Sequence, residues 1–363
     1  MPLVAHSQLP TFTRLEQEGH QVLKEDRASE QDIREQHIGL LNMMPDAALE
    51  ATERQFYRLI GNSNSIIQMY VHPFTLPEIP RGEKAQQHID RYYETFESIK
   101  AQGLDALIIT GANVMQPSLP KEDFWQPLIA VVDWAVENVA TTLCSCLATH
   151  AVMEAKYKQV RRPLKNKRWG VYSHQIINKH PLVEGINTQF DVPHSRLNQV
   201  DRAQFNQSGG IILAESKEAG VHLAVCDDGL SLVFFQGHPE YDTISLLKEY
   251  KREVGRYIYG DTDTIPPFPK NYFDQLTESL FLEYLDKVNL AKEQGEEMPV
   301  FPEHLVTSRI HNTWHDTGEV IIGKWLGLAY QYTNNNRLLR LMEGVDHSDP
   351  LGLKQSKVIN NLA

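Results

Sequence analysis

Between residues 37 and 235 the chain alternates short, continuously apolar β-runs with helical patterns, and few architectures accept that rhythm. Residues 37–43 read as a strand, 47–60 as a helix with Leu49, Phe56, Leu59 and Ile60 on one face, 65–71 as a strand and 91–100 as a helix. Residues 105–110 form a strand that is apolar along its length and stops at Gly111, while 124–138 form a helix leading into a strand over 138–143. Strands without a polar face are covered on both faces, so the predicted fold class is α/β, a mostly parallel sheet flanked by helices. Such sheets bind ligands at the carboxyl ends of their strands.

A mixed β-rich stretch over 169–235 follows, then a helix over 243–258 with Asp242 as its N-cap and a Pro-rich stop at 265–270. The predicted organisation is an N-terminal extension (1–36), one α/β domain (37–334) with a helical insertion at about 271–309, and a C-terminal tail (335–363). The tail has weak periodicity and is expected to be partly disordered.

Two of the strand ends carry chemistry. Residues 141–150 read Thr-Thr-Leu-Cys-Ser-Cys-Leu-Ala-Thr-His, and 147–157 have helical spacing, which sets Cys146 at a strand end and a helix N-terminus. The helix dipole and unpaired backbone N–H groups there favour thiolate over thiol. Residues 236–242 read Gln-Gly-His-Pro-Glu-Tyr-Asp and follow the apolar run 231–235, so His238 leaves a strand end in the same way, with Glu240 two residues on to hold its ring in one tautomer. Nucleophile, base and orienting carboxylate are the parts of covalent acyl transfer. A lone buried cysteine is ordinarily a small hydrophobe. Cys144, inside the same strand, is read that way, and Cys226 as a strand residue.

Three cysteines without regular spacing argue against a disulfide framework and against a metal cluster. There is no apolar stretch long enough to span a bilayer and no signal-peptide pattern, so a cytoplasmic enzyme without membrane contact is expected. A formal net charge of −12 argues against nucleic acid as a partner.

Several segments together resemble the homoserine O-acyltransferases of the MetA type, the homoserine O-succinyltransferase family. They are Leu-Leu-Asn-Met-Met-Pro at 40–45, Thr-Glu-Arg-Gln-Phe at 52–56, Leu-Ile-Ile-Thr-Gly-Ala at 107–112, Gly-Val-Tyr at 170–172, Pro-His-Ser-Arg at 193–196 and Gly-His-Pro-Glu-Tyr-Asp at 237–242, with Cys146 between them. The resemblance is collinear over roughly 37–260 and returns weakly at 313–332. It implies a fold similar to class I glutamine amidotransferases and transfer of an acyl group from an acyl-CoA co-substrate to the hydroxyl of homoserine, a step of methionine biosynthesis, with no cofactor or metal. It implies Cys146 as acylated nucleophile, His238 as general base and Glu240 as its orienter. Substrate-binding positions implied are Lys167, Ser195 and Arg252, a guanidinium suiting an amino-acid carboxylate. Glu249, one helical turn before Arg252, is a candidate for the substrate ammonium, with a surface pair to Arg252 as the alternative. The backbone N–H of Leu147 and those of the turn at 111–113 are the expected oxyanion donors. Partners are then small molecules, and a homodimer stays open.

The chain also departs from that family. Asp46-Ala47 stand where relatives carry a lysine, which removes a cation from the acyl-CoA side. The position that tracks donor choice, glycine in succinyl users and glutamate in acetyl users, is Met115. A glutamate there would repel a succinyl carboxylate whereas methionine carries no charge and can move aside, so succinyl-CoA is the expected donor. The basic run 156–168 offers cations for that carboxylate, though a solvated loop is the ordinary fate of such runs. Acetyl-CoA as donor and serine as acceptor stay open. A glutaminase-type amidotransferase is a more distant alternative, set back by the lack of glycines beside Cys146.

Overall fold

The structure is a computed structural model that describes residues 3–354. Strands β1 (Val4–Ala5) and β2 (Leu23–Lys24) make a small ribbon. The main sheet holds β3 (Glu35–Leu41), β4 (Gln68–Phe74), β5 (Ala106–Ile109), β6 (Thr141–Ser145), β7 (Arg162–Ile176), β8 (Gln189–Gln199), β9 (Ile211–Ser216), β10 (Gly220–Val225) and β11 (Leu232–Phe235). Its order is β4-β3-β5-β6-β11-β10-β9-β7-β8. Pairings from β4 across to β11 are parallel, and from β11 to β8 antiparallel. The mixed β-rich stretch of the sequence supplies this antiparallel wing.

Apolar residues alternate across the parallel strands and build two cores. Ile38, Leu40, Ala106, Ile108 and Leu143 meet Phe56 and Ile60 of helix Asp46–Ser63 and Ile321 and Trp325 of helix His315–Tyr332. Leu41, Leu107, Ile109 and Cys144 meet Leu128 and Val132 of helix Trp125–Asn138 and Ala148 and Val152 of helix Leu147–Tyr157. Register then fixes where the strands stop: Cys144 lies opposite both Ile109 and Phe234. The segments that leave β5, β6 and β11 therefore emerge level, on the same edge.

A third core accounts for the segment expected as an insertion. Phe281, Tyr284, Leu285 and Val288 of helix Gln275–Gln294 pack with Leu246, Tyr250 and Val254 of helix Ser245–Ile258 and with Trp169, Val171 and Trp314. The N-terminal extension also packs on the domain: Phe12 and Leu15 join the first core, and the Phe12 ring lies 5.5 Å from that of Tyr57. Among the described residues no helix is long and apolar enough to cross a membrane.

Four expectations need correction. The strand expected at 65–71 runs Gln68–Phe74, because the Asn64 side chain accepts from the N–H groups of Ile66 and Ile67 and forms a turn there. Pro73 inside it is tolerated because β4 ends the sheet order. The helix expected at 91–100 is two helices, Glu83–Tyr92 and Phe96–Gln102, split where Glu94 bridges to Phe74 and Thr95 caps the second helix by accepting from Ser98 N–H at 3.2 Å. The tail packs in part, with Leu341 buried in the first core and bridged to Thr333 and Asp349 buried; 355–363 lie outside the described residues.

The fourth concerns Asp242. It does not cap the helix, whose N-cap Ile244 has no side-chain hydrogen bond. Its carboxylate instead receives Arg54 Nη2 at 2.8 Å, together with Arg58, and Arg58 also donates to the Glu240 carbonyl at 3.2 Å. Burial would raise the Asp242 carboxyl, but Arg58 and then Arg54 outweigh it and hold it below the usual carboxylate range. A depressed native pKa contributes stability that is present above the unfolded carboxylate value and lost as pH falls through the native one. Asp242→Ala removes the shared acceptor of two mostly buried guanidiniums, leaving Arg54 with Glu18 at 3.5 Å and Arg58 with the Glu240 carbonyl, a defect that costs up to about 3–5 kcal/mol. Urea denaturation should show that loss, and a variant as stable as the parent would show that the pair contributes nothing net.

Candidate active site

The level strand ends form one side of a cleft of ≈ 480 Å³, with Met44, Gly111, Cys146, Lys167, Ser195, His238, Glu249 and Arg252 in its lining. The structure thus brings together every residue expected to be catalytic or substrate-binding except Glu240, which stands behind His238, and Met115, which lines an adjoining cleft of ≈ 470 Å³.

Cys146 stands between β6 and helix Leu147–Tyr157 with φ 51° and ψ −106°, a conformation costly for a side chain with a Cβ. Its N–H donates to the Phe235 carbonyl at 2.8 Å, and Thr149 Oγ1 donates back to the Cys144 carbonyl at 2.7 Å, so both ends of the turn are tied to strand backbone. Cys146 is part-exposed where Cys144 is fully buried. Burial pushes the Cys144 thiol far up and leaves it inert. The strained turn forms with Ser145 and Leu147 as neighbours. The lack of glycines therefore does not set the glutaminase-type alternative back as expected.

The turn after β5 passes beside Cys146. A Cβ placed on Gly111 would lie 3.9 Å from Cys146 Cβ and 3.5 Å from Met44 Sδ, so the backbone there is close enough to face an acyl group on the sulfur. Gly237 answers a similar demand on the other loop: a Cβ there would meet Val192 at 2.5 Å and His194 at 2.9 Å.

His238 is 8% exposed, with Nδ1 2.8 Å from Glu240 Oε1. A carboxylate accepts only, so Nδ1 carries the proton and Nε2 is left for Cys146. Burial alone would lower the His238 pKa, but the charge of Glu240 and then that of Cys146 outweigh it and hold it well above the ordinary value. The Tyr241 ring stacks on the imidazole, centroids 4.4 Å apart.

At the far end, Glu249 gathers three donors. Ser195 Oγ reaches Oε2 at 2.6 Å, Lys167 Nζ the same oxygen at 3.3 Å, and Tyr241 OH reaches Oε1 at 2.8 Å. Burial opposes the Glu249 charge, yet Lys167 and the hydroxyls keep its carboxyl below the usual range. The alternative of a surface pair between Glu249 and Arg252 does not hold, since Arg252 pairs with Glu253 at 3.2 Å, its side chain exposed at the cleft mouth.

On the opposite side Met115 is 79% exposed, and its N–H donates to Glu122 Oε1 at 2.8 Å. A cation from another segment does reach the loop after Pro45: Arg81 donates to the Met44 carbonyl and pairs with Asp46 at 3.3 Å. Its side chain is buried, however, so it braces the loop beneath the cleft. Tyr241, Arg161 and Arg196, absent from the expected site, also line the cleft. Tyr241 and Arg196 belong to the motifs quoted above, and Arg161 to the basic run. Among the described residues no three His, Cys, Asp or Glu side chains could hold a metal ion.

A family model described as homoserine O-succinyltransferase matches residues 2–335 of the chain. A protein named homoserine O-succinyltransferase from Allochromatium vinosum is 60% identical, over 97% of this chain and 99% of its own. One of the same name from Nitrosococcus oceani is 58% identical, over 98% and 99%. Among solved structures, a glutamine amidotransferase from Methylobacillus flagellatus aligns with TM-score 0.44 and 12% identity, covering 87% of this chain and 100% of that one.

Proposed function

Because the chain belongs to the homoserine O-succinyltransferase family and is an acyltransferase, we propose that it moves a succinyl group from succinyl-CoA to the hydroxyl of L-homoserine through a thioester on Cys146. The observation that carries the covalent route is that Cys146, in its strained turn, lines the same cleft as His238, whose Nδ1 lies 2.8 Å from Glu240.

In the first half-reaction Cys146 Sγ attacks the thioester carbonyl carbon, the new C–S bond forms, and the bond to the CoA sulfur breaks. His238 gives its proton to the departing thiolate. Backbone N–H groups of Leu147 and of the turn at Gly111 are the donors for the oxyanion. In the second half-reaction the homoserine oxygen attacks the acyl carbon, His238 takes the hydroxyl proton, and the Cys146 thiolate leaves. One sulfur ester replaces another in the first step, so little driving force is lost before the acceptor arrives.

Acylation also changes the base. It removes the Cys146 charge, one of the two that raise the His238 pKa. The proton has left with CoA, and the imidazole now holds its next proton less tightly, which suits a group that must accept one and release it. Glu249 and Arg252, one turn apart on helix Ser245–Ile258, offer a carboxylate for the acceptor's ammonium and a guanidinium for its carboxylate. For the donor, Met115 is exposed and free to move aside, as a longer acyl chain needs.

Intact-mass spectrometry after incubation with succinyl-CoA and acetyl-CoA separately tests this. A succinyl adduct on Cys146, discharged by homoserine and not by serine, is expected. A dominant acetyl adduct would overturn the donor, and no adduct with either would overturn the covalent route.

A further inference from the structure

We infer that Arg161 receives the distal carboxylate of the acyl group, and so selects an acyl thioester that ends in an acid over a neutral one. The inference rests on the reading of the cleft as a succinyl-transfer site and names the residue that reads the donor.

Among the described residues four lysines and arginines line the cleft: Arg161, Lys167, Arg196 and Arg252. Three are committed. Lys167 is held by Glu249 at 3.3 Å. Arg196 is 5% exposed and spends Nε on His194 at 3.3 Å, Nη1 on the Asn198 carbonyl at 3.0 Å and Nη2 on the Ala219 carbonyl. Arg252, exposed and paired with Glu253, stands one turn from Glu249 and serves the acceptor end. His150 cannot substitute, because burial keeps it neutral with a pKa of about 3 and Nε2 bonds Gln236 Oε1 at 3.1 Å.

Arg161 is part-buried and makes no hydrogen bond or ion pair with any described residue. A guanidinium taken partly out of water without an acceptor is costly unless a ligand supplies one. Of the other cations of the basic run, Lys156 pairs with Asp133, Lys158 donates to the Ala155 carbonyl at 3.0 Å and Arg162 pairs with Asp201 at 2.5 Å, while Lys165 and Arg168 lie outside the cleft lining, Arg168 stacked over the Tyr172 ring.

Its position also suits the acyl end. The charges it feels are those of Glu154, Glu122 and Cys146, and Glu122 is the carboxylate beneath the Met115 backbone. Glu122 itself is occupied by the N–H groups of Met115 and Gln116. Arg161 thus shares the cleft lining with the Cys146 nucleophile and lies within electrostatic reach of the Glu122 that holds the Met115 backbone.

Butyryl-CoA, in which a methyl replaces the carboxylate, separates charge recognition from chain length. The readout is kcat/KM for succinyl-CoA divided by that for butyryl-CoA. Arg161→Met should lower this ratio by about a hundredfold, the usual scale for a lost charge-assisted contact, and Arg161→Lys should recover part of it. If Arg161→Met does not fold, Arg161→Gln serves for the same ratio. A ratio kept at the parent value, whether or not both rates fall, overturns the role of Arg161 alone. A parent enzyme that does not prefer succinyl-CoA sinks the donor reading and this role with it.

Discussion

Cys146→Ser is expected to abolish acyl-enzyme formation and transfer, with turnover down on the order of 10³-fold or more, as when the nucleophile of a catalytic unit is removed. Cys144→Ser is expected to keep turnover and lose stability. The two cysteines lie two residues apart on the same strand run, and the substitution removes the same sulfur from each. What differs is place. Cys144 is fully buried between Ile109 and Phe234 with no route to a substrate, so a serine there buries a hydroxyl in apolar surroundings, at a cost of about 1–3 kcal/mol unless it finds a partner. Cys146 opens on the cleft, where serine fits but its hydroxyl is a far weaker nucleophile at neutral pH. Intact mass after incubation with succinyl-CoA, read beside melting temperature, checks both halves. Equal catalytic loss in the two variants at matched folded content would sink the assignment.

The contrast also marks what a sequence can disclose. Strand ends were legible because continuously apolar runs must be buried on both faces, and the residue after such a run can only emerge at the sheet's edge. Cys146 and His238 were therefore found from local pattern. Lys167, Ser195 and Arg252 came from resemblance, and the structure places them in the same cleft. Long-range charge pairing left no local trace. Asp242 looks like an N-cap until Arg54, 188 residues away, is seen to claim it. Glu249 read equally well as a substrate contact and as one half of a surface pair because helical periodicity cannot tell which polar position faces a cavity. That was settled by helix Gln275–Gln294, which turns the apolar stripe of Leu246, Tyr250 and Val254 towards itself and Glu249 towards the cleft. Arg161 was hidden for the opposite reason: in a run of like charges each cation reads as solvated, and only the geometry picks out the one that lines the cleft without an acceptor.

His238→Ala should lower turnover by roughly 10²- to 10⁴-fold, the range for proton transfer by a positioned side chain. Both half-reactions depend on it, so acylation by succinyl-CoA in a single turnover and discharge by homoserine should each slow. Glu240→Gln should be milder, and it isolates the electrostatic part of the argument. Glu240 supplies the largest charge that raises the His238 pKa, and with glutamine in its place burial works against a smaller opposing term. The His238 pKa then falls. The limb of kcat/KM for homoserine that reports loss of the His238 proton moves to lower pH in Glu240→Gln relative to the parent. Linkage gives the matching effect on stability. A native histidine pKa above its unfolded value contributes stability below the unfolded pKa of about 6.5 and loses it as pH rises through the native value, so Glu240→Gln should lose more stability near pH 6 than near pH 9. Parallel pH profiles of rate and of urea midpoint test the two together. A His238→Ala variant with near-normal turnover at neutral pH would make the Gly-His-Pro-Glu loop a structural brace, and a Glu240→Gln profile that does not move would leave His238 without its orienting charge.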